Sequence, residues 1–95
     1  MNSQDETYDD ETVKRAKIST TNYLKSNFEN IQSVEITKVY QNEMGGMTVE
    51  GKVNNGDGEF STGIENDFSV GNVGVNKKFP NRKEECAKNT CEYEY

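Results

Sequence analysis

The chain has 95 residues, a formal net charge of −6, no His and no Trp. That length leaves room for one small domain, and the missing imidazole excludes every mechanism built on a histidine base or a histidine metal ligand. No apolar run approaches the roughly 18 residues that a membrane-spanning helix needs.

Charge and hydrophobicity are unevenly placed. All Leu, Ile, Val and Phe residues lie between Val13 and Phe79, so this stretch reads as a modest core with polar ends. Residues 1–10 hold Asp5, Glu6, Asp9 and Asp10 and no base, while 11–79 is nearly neutral. Lys14, Arg15 and Lys17 come closest to a basic cluster, and the acidic leader opposes them. Nucleic acid is therefore not an expected partner, because phosphate binding starts from a basic face.

The leader, with Tyr8 its large side chain, reads as solvated and without a core to join. Asp9 or Asp10 can cap a helix whose carboxylate meets the free backbone N–H groups of the first turn. Val13, Ala16, Thr20, Tyr23, Leu24, Phe28 and Ile31 recur at three- and four-residue steps, which predicts a helix over 11–31 with one apolar face. Lys17 falls at the edge of that face, where it must snorkel, and Ile18 points away.

From Val34 the period becomes two. Val34, Ile36 and Tyr40 share one side of a first strand and Val39 faces the other. Asn42-Glu43-Met44-Gly45-Gly46 is a turn. Met47, Val49, Gly51 and Val53 alternate with polar residues in a second strand that has one wet face. Asn54-Asn55-Gly56-Asp57-Gly58 is the strongest turn signal in the chain. Phe60, Thr62 and Ile64 mark a third strand, and Asn66-Asp67 turns out of it. Phe68 and Val70 keep one parity while Val73 and Val75 take the other, so Gly71 marks a bulge in a fourth strand. The expected fold is α+β, one N-terminal helix packed on a four-stranded antiparallel β-meander. The expected organisation is an acidic leader (1–10), a single domain (11–79) and a polar tail (80–95).

The tail carries Cys86 and Cys91. Two thiols without His cannot close a tetrahedral zinc site. Even cysteine count and small size favour a small-loop disulfide of a secreted protein; a reactive dithiol and two free thiols are the other readings. The rings of Glu92-Tyr93-Glu94-Tyr95 either anchor a partner or hang in solvent, as chain ends commonly do.

Three groups of residues invite a chemical reading. Asn54 to Glu59 begins like a calcium loop, but the next acid, Glu65, lies beyond a strand; a hairpin turn accounts for the run better. Glu35 and Glu50 fall on neighbouring strands, and Glu59 and Glu65 flank the third, as a carboxylate-only glycosidase would require. Their positions face water, where a general acid lacks the raised pKa it needs, so a solvated face with cross-strand ion pairs is expected. Met44-Gly45-Gly46-Met47 puts two adaptable thioethers beside two glycines. Either Met44 folds back over the core edge and Met47 starts a strand, or the pair offers a soft surface to a partner.

The runs Tyr23-Leu24-Lys25-Ser26-Asn27-Phe28, Val34 to Gly46 and Val49 to Asn55 resemble the small lipoproteins of low-GC Gram-positive bacteria, over roughly residues 12–75. In that family a helix leads into a strand, an Asn-x-Met-Gly turn and a strand ending in a Gly-x-x-Asn-Asn turn. Glu43 stands where a proline is usual, and the cysteine-containing tail departs from the pattern. The resemblance implies a precursor with a signal peptide and a lipidated cysteine, residues 2–10 forming the tether and the membrane being met only through that anchor. It implies a location and a fold, and no activity or cofactor.

The functional expectation is a non-enzymatic extracytoplasmic protein-interaction module without cofactor or bound metal. Met44, Gly45, Gly46, Met47, Asn55 and Asp57 are its candidate contacts. The alternative is a small inhibitor or immunity-type protein acting through a hairpin tip.

Overall fold

The computed structural model describes residues 8–95. A helix α1 (Asp10–Asn27) is followed by strands β1 (Val34–Gln41), β2 (Met47–Val53), β3 (Gly58–Ile64) and β4 (Val70–Val75), with 3-10 turns at Asn54–Gly56 and Glu84–Cys86. The strands form one antiparallel sheet in the order β1-β2-β3-β4. The protein is thus an α+β domain with an N-terminal helix on a four-stranded meander. The expected leader lies outside the described residues except for its end. There Tyr8 packs against the core, so it does not stand in solvent as its acidic neighbours suggest.

Asp9 caps α1, its Oδ1 accepting from Thr12 N–H at 2.9 Å. That bond holds the Asp9 carboxyl below its ordinary pKa. The helix buries Val13, Ala16, Ser19, Thr20, Tyr23, Leu24 and Asn27, while Lys17 is half-buried at the margin and Ile18 is exposed. The face is partly polar, and its polar groups are satisfied. Thr62 Oγ1 donates to the Val49 carbonyl at 3.2 Å, so Thr20 is the donor in the 3.3 Å contact between the two threonine hydroxyls. A helix hydroxyl thereby meets a strand hydroxyl inside the core without an unpaired group.

The helix ends four residues earlier than its apolar spacing predicts. Phe28 is extended (φ −121°, ψ 150°) and forms an isolated bridge with Arg82. Asn81 O accepts from Glu29 N–H, and Asn27 O accepts from Lys83 N–H. Backbone groups that would have continued the helix are taken by the C-terminal segment. Phe28 still enters the core, and Ile31 packs at its margin, so both kept an apolar role without a helical backbone.

In β1 the expected parity is overturned. The register slips between Ile36 and Lys38, and the extra residue, Thr37, donates its hydroxyl to Glu50 O. A bulge shifts everything after it to the opposite face. Val39 is therefore buried with Val34 and Ile36 packed nearby, and Tyr40 turns to the outer face, where its hydroxyl donates to Glu50 Oε2 at 2.7 Å. The slip predicted at Gly71 is present, Ile64 pairing with Val70 and Gly63 with Asn72. In β2 and β3 the period of two holds except at Thr48, expected on the wet face but also buried; Met47, Val49, Val53, Phe60, Thr62 and Ile64 are buried as their parity predicts.

Gly51 keeps the sheet thin beneath the helix. A Cβ there would stand 2.2 Å from Glu35 O and 2.8 Å from the Phe60 ring. Backbone on one side and a packed ring on the other leave no room to yield.

Beyond Phe79 the chain is docked, not loose. Phe79 and Cys86 are buried. Arg82 lies 4.8 Å over the Phe28 ring and donates from Nη2 to Tyr23 Oη at 2.8 Å. The Tyr93 ring meets Tyr23 edge to face at 5.2 Å, so of the two tail rings expected either to anchor a partner or to hang in solvent, Tyr93 docks on the domain itself while Tyr95 is half exposed. No apolar period marks this segment because it is held by isolated anchors, not by a repeating face.

Two outcomes are expected. Gly51→Ala should lose about 3 kcal/mol of stability by urea denaturation, the upper end of an overpacking cost. Asp9→Ala should lower the melting temperature at neutral pH. The Asp9 pKa is depressed on folding, so its contribution is present above the ordinary carboxylate range and lost as pH falls through the folded value. Wild type and variant should therefore converge in acid, measured as melting curves across pH.

Candidate functional site

The β1–β2 hairpin tip is the most sharply displayed feature of the surface. Asn42 organises it. Its Oδ1 accepts from Met44 N–H at 2.9 Å and from Gly46 N–H at 3.0 Å, and its backbone N–H bonds to Gly46 O at 2.8 Å. Gly45 adopts φ +90°, which a side chain there would resist. With the turn held from inside, Met44 projects outward and is 94% exposed, while Met47 starts β2 at 9% exposure. The two methionines have opposite roles. Met44 does not fold back over the core edge, because the amide that precedes its side chain is fastened to Asn42.

Beside this tip the β3–β4 turn brings Glu65, Asn66 and Phe68 next to Tyr8, Gly45 and Met47 around a recess of about 250 Å³. Phe68 has φ +72°, a costly backbone for an aromatic residue. Three contacts hold it: its N–H donates to Glu65 O, its carbonyl accepts from Ser19 Oγ, and Arg15 stacks over its ring at 4.4 Å. No local pattern points to this neighbour, since residues 42–47 and 65–68 are brought together only through the sheet.

The other predicted contacts, Asn55 and Asp57, are exposed in the β2–β3 turn. They stand at the far end of β2, roughly 20 Å away for a strand of this length. The sheet therefore separates the six candidate residues into two groups. The chemically busy residue of the far turn is Asn54, whose Oδ1 accepts from Gln32 and Ser33 N–H and whose Nδ2 donates to Asn30 O. It fastens the turn to the segment after α1, a structural use that explains the Asn-rich run.

On the outer sheet face a concavity of about 610 Å³ lies between Thr37, Glu50, Lys52, Glu59, Ser61 and Gly74. Glu50 is half-exposed and Glu35, Glu59 and Glu65 are exposed, as their strand parity predicts. The hydrogen bond to Glu50 raises the Tyr40 pKa above its ordinary value by favouring the protonated phenol. Among the described residues no group of three or more Cys, Asp and Glu stands close enough to hold a metal ion.

Cys86 and Cys91 form a disulfide. The small ring is fastened to the end of α1 through Asn27, which is fully buried. Asn27 Oδ1 accepts from Cys91 N–H at 2.7 Å, and its Nδ2 donates to Cys91 O and Tyr23 O. Two residues on, Tyr93 Oη accepts from Val70 N–H at 2.7 Å, at the start of β4. Burial raises the Tyr93 pKa. The tail thus ties the helix end to the sheet edge. In the sequence Asn27 looks like a residue that merely loosens a helix; its clamp role depends on a partner 64 positions away.

Comparisons with protein-family models, curated proteins and solved structures found no match. Among the described residues no helix is long and apolar enough to cross a membrane.

Asn27→Ala should cost about 2 kcal/mol, the usual consequence of leaving buried polar partners unpaired. Amide exchange at Cys91 should quicken at the same time, while exchange in the central strands β2 and β3 keeps its wild-type order of protection.

Proposed function

We propose that this protein is a non-enzymatic extracytoplasmic interaction module whose contact surface is the sheet end formed by the 42–46 tip and the recess beside it. The observation that carries the reading is Met44, 94% exposed on a turn whose conformation Asn42 already sets. An unbranched thioether adapts to varied apolar pockets, and a turn ordered before contact spares the entropy that a loose loop would lose on binding. The Phe68–Arg15 stack and the recess flank that residue with further apolar and cationic surface.

The Cys86–Cys91 disulfide fits an oxidising compartment. Together with the likeness of residues 12–75 to the small lipoproteins of Gram-positive bacteria, it supports a place outside the cytoplasmic membrane, reached by secretion or by a lipid anchor on a precursor. A second reading uses the same observation differently. A protruding, internally braced tip is also what an inhibitor or immunity-type protein inserts into an enzyme cleft.

The test is a photo-crosslinking residue placed at Met44 and, separately, at Asn55, in cells of the native host. The Met44 site should yield a discrete adduct that the Asn55 site does not. Met44→Asp should weaken the interaction by about tenfold or more, the scale of a hot-spot loss, without moving the melting temperature. Equal labelling from both tips would overturn the reading, and loss of an enzyme's inhibition in Met44→Asp would decide for the second one.

A further inference from the structure

Residues 87–95 leave the domain from one buried point and return to it. Cys86 is 1% exposed, Ala87, Lys88, Asn89 and Thr90 are exposed, and Cys91 is half-buried. From there the chain lies back on the domain at three places. Asn27 bonds both backbone groups of Cys91. Tyr93 sets its ring against Tyr23 and its hydroxyl on Val70 N–H. Glu94 O accepts from Asn22 Nδ2 at 3.0 Å. The segment is a strap from the helix to the first residue of β4.

Those contacts are few for the length of chain they order. A hydrogen bond returns little net free energy, while every residue fixed loses backbone freedom. The disulfide shifts that balance, because it holds Cys91 beside Cys86 whether or not the other contacts are made. The two sulfurs are not equivalent. Cys86 Sγ lies 3.5 Å from Ser26 O. In the disulfide it has no proton to offer; as a thiol it is a donor with its acceptor already in place. Cys86 is therefore provided for in both states, and Cys91 is the end that can leave.

We infer that the strap is redox-gated: reduction of Cys86–Cys91 by a dithiol releases residues 87–95 from α1 and from Val70, and oxidation closes them again, while helix and sheet stay folded. A thiolate of the reductant attacks the half-buried Cys91 sulfur, the S–S bond breaks, and Cys86 leaves and takes up a proton. The second thiol of the reductant then displaces Cys91, which is protonated in turn. Two electrons and two protons enter the protein, and the dithiol becomes a disulfide. The thiol–disulfide poise around the protein thus sets whether Val70 N–H, an edge group of β4, is covered. The core does not depend on the strap, because Tyr23, Phe28, Phe79 and Phe60 keep their ring contacts without it. The device does not rest on the role proposed for Met44.

Amide exchange followed by NMR on the full chain, oxidised and in excess dithiothreitol, tests this. Reduction should quicken exchange at Val70 by about tenfold, the scale of one hydrogen bond's net worth, while amides in β2 and β3 keep their protection. The Tyr93 phenol, held above its ordinary pKa by burial, should titrate closer to that value once released. Cys86→Ser with Cys91→Ser should behave as the reduced chain and no longer respond to dithiothreitol. Unchanged Val70 exchange and Tyr93 titration on reduction overturn the inference, because the remaining contacts then hold the strap by themselves. Loss of protection throughout β2 and β3 overturns it too, since the bond then supports the whole fold and gates nothing. A disulfide that excess dithiothreitol leaves intact does the same.

Discussion

Edge-to-face ring contacts run through the whole molecule and join parts that no regular ladder connects. Tyr93 meets Tyr23, Tyr23 meets Phe28, Phe28 meets Phe79, and Phe79 meets Phe60, at centroid separations of 5.0 to 6.3 Å. The series starts in the tail, crosses the helix end and the chain entering β1, and finishes on the sheet. Such pairs add to the burial of large rings, and a chain with a single Leu depends on them. The same series explains why α1 stops at Asn27: a helical Phe28 would carry its ring away from Phe79, and the backbone freed at Glu29 is the backbone that Asn81 accepts.

This arrangement divides the molecule into a braced centre and two braced tips. The centre holds small residues where layers approach, as Gly51 does under Phe60. The tips are ordered by asparagine side chains that replace missing backbone partners, Asn42 at one end and Asn54 at the other. Asn is suited to this because one amide both donates and accepts, and because it tolerates left-handed backbone, which Asn30, Asn54 and Asn55 adopt. A scaffold so stiffened presents side chains in fixed positions, and that property underlies the reading of the protein as a binding module.

The tail has a structural consequence beyond its own anchoring. By way of Asn27 and Tyr93 it connects the disulfide ring to the start of β4, so the cysteine pair and the sheet edge belong to one network. A short ring of this kind constrains few unfolded conformations; its effect here is local, holding the tyrosine that closes the first part of the edge.

Local pattern sufficed for the element types, the meander and the Gly71 bulge. Each of these follows from period, turn chemistry and the cost of exposing one apolar face, which neighbouring residues settle among themselves. The Asp9 cap was likewise legible from its carboxylate ahead of an apolar period. Three things were decided only by contacts between distant segments: the end of α1, the bulge at Thr37 that exchanged Val39 for Tyr40 on the inner face, and the docking of residues 79–95. The same holds for the separation of Met44 from Asn55 and the meeting of Met44's turn with Phe68. Periodicity records which face is buried so long as the backbone stays regular. Where a hydrogen bond to a remote residue is worth more than the next turn of helix or rung of ladder, the regularity breaks, and only the assembled packing determines where.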